Sequence, residues 1–188
     1  MASLRLFLAV LTAAFTFATA HAAPAPWGQT PDLSSLSDDE LKAVVIRLER
    51  TRCYGTCPAY ALTIHGDGRV EYVDKKVNNK PPVAKSPQKG TIDHVALKTL
   101  IAEFARAKFL SLPDYLLENC ACRRCTDLPS AITEITVRGE THRVKHDYGC
   151  GCAPKELFQL ESAVDKAVNV KQWVGDTSKR GPFGTTCF

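Results

Sequence analysis

The chain has 188 residues, eight cysteines, 24 Lys and Arg against 20 Asp and Glu, and a formal charge of +4. Its ordinary shares of apolar and charged residues exclude a collagen, a coiled coil and a disordered polymer, and the length suits one domain with its own core. The basic excess is too small to imply a nucleic-acid partner.

Arg5 precedes an apolar run from Leu6 to Ala18, and Ala20-His21-Ala22 supplies small residues before Ala23. This is the pattern of a cleavable secretory signal over residues 1–22, and the run is shorter than the ~20 residues of a spanning helix. The expected location is periplasmic or secreted, with cleavage near Ala22 and no stable membrane anchor afterwards. Lipid attachment is not expected, since the first cysteine is Cys53.

Residues 23–43 are rich in Pro, Ser and Ala and read as a flexible leader, in which Ser37 and Glu40 suit the capping of one helical turn. From Val44 the periodicity becomes two: Val44, Ile46 and Leu48 share a face opposite Arg47 and Glu49. Tyr60, Leu62 and Ile64 continue the alternation, and Gly66-Asp67-Gly68 predicts a hairpin into Val70 and Tyr72. Lys75 to Lys89 is basic and interrupted by Pro81, Pro82 and Pro87, so a long loop is expected, with a short strand resuming near Lys89 to Ile92.

Asp93 caps a predicted helix whose apolar positions are Leu97, Leu100, Ile101 and Phe104. Asp114 to Ser130 is irregular and carries cysteines. A second hairpin is predicted from Ile132 to Tyr148, turning at Gly139-Glu140 as a type II′ turn. Pro154 opens a final helix with Leu157, Leu160, Val164 and Val168 in one stripe and Trp173 near its end. The predicted fold is α+β: an antiparallel sheet of five to six strands, built as two hairpin-plus-helix halves, packed on two helices and stapled at its loops by disulfides. The domain spans 44–173, and the tail 174–188 has Cys187 as its tie.

An exported chain meets an oxidising compartment, so Cys53, Cys57, Cys120, Cys122, Cys125, Cys150, Cys152 and Cys187 read first as disulfides; eight cysteines allow about 105 connectivities, and the pairing stays open. Cys53 to Pro58 shares the CxxxCP spacing of thioredoxin-fold copper chaperones, but a strand pattern follows it where those proteins have a helix that lowers the thiol pKa. The alternative to struts is a zinc or copper thiolate site, or a redox centre, drawn from Cys120, Cys122, Cys125, Cys150 and Cys152, with His146 as a further ligand. Against it, CxC in an extended chain sends its two side chains to opposite sides. His142 and His146 lie four apart on a strand, ~13 Å, too far to share one ion. Lys75, Lys76, Lys80, Lys85 and Lys89, with Arg123 and Arg124, read as a solvated edge that discourages strand pairing. No nucleophile elbow, zincin, phosphate-binding or calcium-binding motif is present.

The run Arg50-Thr51-Arg52-Cys53-Tyr54-Gly55-Thr56-Cys57-Pro58-Ala59-Tyr60, with Leu62-Thr63-Ile64 and Gly66-Asp67-Gly68, resembles an uncharacterised bacterial family, the domain-of-unknown-function family numbered sixty-four thirty-eight. The similarity continues through Gly90, Phe109, Leu112, Asp114-Tyr115, Asp127-Leu128-Pro129, His146 to Gly149, Ala153-Pro154 and Trp173. It implies a small exported domain with no catalytic residues to carry over. The cysteines from Cys120 onward lie beyond the shared opening motif.

The expected function is a non-enzymatic binding module with a recognition surface around Tyr54, Tyr60 and Tyr148, no catalytic residues and no cofactor. Its expected partner is an envelope protein or ligand rather than nucleic acid.

Overall fold

The computed structural model describes residues 31–54, 57–75, 87–122 and 124–175. The predicted signal, most of the lysine-rich loop and the tail with Cys187 lie outside the described residues. Six strands form one sheet: β1 (Val45–Arg50), β2 (Tyr60–His65), β3 (Arg69–Asp74), β4 (Gln88–Thr91), β5 (Ser130–Val137) and β6 (Glu140–Asp147). Their order is β4-β3-β2-β1-β5-β6, and every neighbouring pair is antiparallel. β1 is the junction. It pairs Leu48 with Leu62 of the first half and with Thr133 of the second, so its side chains are flanked on both sides.

The period-two pattern places Ile46 and Leu48, Tyr60, Leu62 and Ile64, Val70 and Tyr72, and Ala131 and Ile135 on the same buried face. Two helices close it: α2 (His94–Arg106) and α3 (Lys155–Ala167), preceded by α1 (Asp38–Lys42) and followed by α4 (Lys171–Val174). Asp93 caps α2, its Oδ1 accepting from the Ala96 N–H at 2.7 Å, while Pro154 stands at the N-cap of α3, where a missing N–H costs little. Leu97, Leu100, Ile101 and Phe104 of α2 join Leu157, Leu160 and Val164 of α3 in one core with the sheet. Trp173 of α4 stacks on Tyr72 with ring centroids 5.0 Å apart. A Cβ at Gly90 would lie 3.0 Å from the indole, which leaves little room for a side chain there. The predicted α+β architecture, with its two hairpin-plus-helix halves, is the one observed.

Two segments differ from the sequence reading. In the stretch read as flexible leader, the helical turn expected at Ser37 and Glu40 forms as α1, but Leu33–Ser35 also make a 3-10 turn, and Leu33 and Leu41 are buried in the core. Two apolar anchors suffice because a capping box seats the helix: the Ser37 N–H donates to Glu40 Oε2 at 2.8 Å and the Glu40 N–H to Ser37 Oγ at 3.3 Å. The Ser37 backbone and hydroxyl bonds, then Arg138 from the second hairpin, hold the Glu40 carboxyl down at about 2. The second hairpin turns at Arg138-Gly139, one residue earlier than expected. Val137 pairs with Glu140, and both turn residues have positive φ, 53° and 81°. That is a type I′ turn, whose twist matches the strands and whose second position takes the glycine.

Candidate functional site

Between the sheet and α3 lies a polar cluster within the core. Arg50 ends β1 in phase with Ile46 and Leu48, so the same alternation that buries them buries the guanidinium, 2% exposed. Glu161 and Asp165 stand one helical turn apart on the core-facing side of α3. Arg50 Nη2 donates to Asp165 Oδ2 at 2.8 Å; Nη1 donates to the Tyr148 hydroxyl and lies 3.5 Å from Glu161 Oε2. The Tyr60 hydroxyl donates to Asp165 Oδ1 at 2.7 Å, and that of Tyr148 to Glu161 Oε2 at 2.6 Å. His146 Nδ1 is 2.9 Å from Glu161 Oε1. A carboxylate only accepts, so this nitrogen carries the hydrogen. Two carboxylates are thus met by one guanidinium, two phenols and an imidazole N–H.

Burial, then the neighbouring carboxylates, pushes the phenols of Tyr60 and Tyr148 far above their ordinary range, so both act as neutral donors. Burial also works against the Arg50 charge, but Asp165, with the two tyrosines and Glu161, outweighs it and raises the Arg50 pKa well above the usual value. His146 and Glu161 are sealed from solvent, the imidazole lying edge-on to Phe158 with centroids 4.3 Å apart. His146 Nε2 is buried with no hydrogen-bond partner among the described residues. The cluster meets the surface at a groove. Arg50, Tyr148 and Asp165 form the floor of this space of about 620 Å³, walled by Phe158 and Val170 and rimmed by Lys166 and Lys171.

The cysteines form a second constellation. Cys53 is bridged to Cys57, Cys120 to Cys150 and Cys122 to Cys152. Cys125 is also disulfide-bonded, and no described cysteine is free. The sulfurs of Cys120, Cys122, Cys150 and Cys152 lie within 4.8 Å of one another. The small Cys53–Cys57 ring leads directly into β2, with no helix end behind it, so the copper-chaperone arrangement does not form.

Several predicted residues change meaning. Tyr60 is 1% exposed, since it points with Leu62 and Ile64 into the core, and cannot belong to a recognition surface. Tyr148 reaches the groove floor but is otherwise enclosed, whereas Tyr54 is 87% exposed beside its disulfide. His146 does not join the thiols, because its Nδ1 is committed to Glu161 and it stands outside the sulfur group. His142 has the backbone partner expected of a strand histidine, its Nε2 lying 3.1 Å from Leu112 O. Arg50, Glu161 and Asp165 were not singled out by the sequence reading. Their signal is a charge standing in phase with apolar neighbours: Arg50 two residues beyond Leu48, and Glu161 four beyond Leu157.

A family described as a domain of unknown function (DUF6438) matches residues 44–168 of the chain. No curated protein matches it.

Proposed function

The chain belongs to the DUF6438 family, and we propose that this member is an exported, disulfide-braced binding domain whose recognition site is the groove beside the C-terminal half of α3. The observation that carries the reading is the groove itself. Its volume of about 620 Å³ falls in the range of small-molecule sites, roughly 300–1,000 Å³, which combine apolar walls with a few placed polar groups. Phe158 and Val170 supply the walls. Arg50 is pre-organised at the floor by Asp165 and Tyr148, so it needs no ordering on binding. Lys166 and Lys171 favour a ligand with a carboxylate or phosphate beside an apolar body. No titratable pair in the cluster is both solvent-reached and free of an internal carboxylate or arginine partner, which favours binding over catalysis.

Export is supported by the N-terminal charge and hydropathy pattern and by the bridged cysteines, which persist where thiols are oxidised. No helix among the described residues is long and apolar enough to cross a membrane.

Titrating the isotope-labelled protein with phenyl phosphate should give saturable amide shifts confined to Tyr148 and residues 158–171. Lys166→Glu with Lys171→Glu should abolish them. Shifts elsewhere, or none that saturate, would refute the site.

A further inference from the structure

We propose that Cys120, Cys122, Cys150 and Cys152 form a reduction-gated zinc site, acting as two struts when oxidised and as a four-thiolate ligand set once both bridges are opened. In a fully extended chain CxC sends its two sulfurs to opposite sides. Neither CxC belongs to a strand of the sheet. Cys120 caps the 3-10 turn Leu117–Asn119 with extended backbone, but the chain bends at Cys122, and Gly151 and Cys152 lie in a turn after β6. The bend and the turn leave the sulfurs of each pair close together, Cys120 Sγ standing 3.3 Å from Cys122 Sγ. A zinc–sulfur distance of ~2.3 Å places tetrahedral sulfurs about 3.8 Å apart. The four here already lie within 4.8 Å of one another.

The loops do not depend on the sulfur bonds for their proximity. The Cys125 N–H donates to Gly149 O at 2.9 Å, and Arg124 forms an antiparallel bridge with Cys150. The backbones press so closely that a Cβ on Gly149 would stand 1.9 Å from Cys125 O. Upstream, the Tyr115 N–H donates to Lys145 O and the Asp147 N–H to Tyr115 O, each at 2.8 Å, docking the entering segment on β6. Opening the bridges should thus leave four thiols grouped rather than dispersed. Cys152 is exposed, which gives a reductant its entry, while Cys120 and Cys150 are buried, which shelters the bound ion. Arg124, whose Nε donates to Cys120 O at 3.0 Å, places positive charge beside the thiolates.

The reaction balances with an external dithiol as reductant. Two equivalents each give up two electrons and two protons, close to cyclic disulfides, and leave four protein thiols. One zinc ion then replaces the four thiol protons, giving a site of net charge −2.

The full chain should be compared oxidised and after reduction by dithiothreitol and anaerobic removal of the reductant. The reduced protein should take up one zinc per chain, and with cobalt in its place show the charge-transfer and d–d bands of a tetrahedral tetrathiolate. The oxidised protein should take up none. Cys53→Ser with Cys57→Ser should leave both results unchanged; Cys122→Ser with Cys152→Ser should remove them while circular dichroism shows the sheet intact. Equal zinc uptake by the oxidised chain, uptake surviving the Cys122→Ser and Cys152→Ser pair, or a reduced chain that binds no zinc, whether folded or unfolded, would overturn the proposal.

Discussion

In this core a guanidinium is buried against two carboxylates, which ties its stability to charge as well as to apolar packing. Arg50 neutralises Asp165 directly and Glu161 at longer range, while Tyr60, Tyr148 and His146 satisfy the remaining lone pairs. Replacing a whole buried ionic set by apolar groups is often neutral, but removing one member strands the others and costs about 3–5 kcal/mol. Arg50→Met leaves the two carboxylates in the core without their cation, and should destabilise the protein by an amount in that range, read from its urea midpoint at unchanged slope. A loss below about 1 kcal/mol, the level of an exposed pair, would mean that the cluster is not held by its charge. The cluster escaped the sequence reading because an arginine at a strand end and acidic residues on a helix ordinarily face water. Only their phase with Ile46, Leu48 and Leu157 gives them away.

Elements were legible where one residue type repeats at one period. Every strand of the two long hairpins is half-buried, so alternation marked β2, β3, β5 and β6, and the i, i+3, i+4 stripe marked α2 and α3. The docking of residues 33–42 was not legible, because Leu33 and Leu41 have no periodic company and their burial depends on surfaces supplied by distant elements. The turn of the second hairpin is not fixed by its glycine, which fits either the first position of a type II′ turn or the second of a type I′ turn. These two local features make a paired test. At Gly139, φ is 81° and a Cβ would meet nothing within 4 Å, so Gly139→Ala costs only left-handed backbone strain, about 1–2 kcal/mol. At Gly66 a Cβ would stand 1.9 Å from the Leu41 carbonyl oxygen, backbone that cannot rotate away. Gly66→Ala should therefore be the more damaging substitution in thermal melts and should raise amide exchange in α1, whereas Gly139→Ala should leave α1 protected. The reverse order would show that α1 is not seated on the first hairpin.

At the scale of the whole chain, the cysteines join the irregular segment before β5 to the end of β6. The bridges Cys120–Cys150 and Cys122–Cys152 each span 30 residues and run side by side. Their stabilisation cannot simply add. Whichever bridge is present already closes the long loop, worth about 3.5 kcal/mol in chain entropy; the second then closes only the small ring between them, worth about 2 kcal/mol. Serine replacement of either pair should therefore cost about 2 kcal/mol, and of both pairs between 5 and 6, roughly. The double loss should exceed the sum of the single losses by between 1 and 2 kcal/mol, roughly. Urea unfolding of the three variants measures this directly. If the two single losses add up to the double one, the bridges act on separate loops in the unfolded chain, and the segment before β5 is not the shared piece they restrain. The same redundancy has a consequence for order of opening: loss of the exposed Cys122–Cys152 bridge alone costs only the small-ring share, about 2 kcal/mol, because Cys120–Cys150 still closes the long loop. Loss of the outer pair should therefore leave in place the architecture that holds the groove residues.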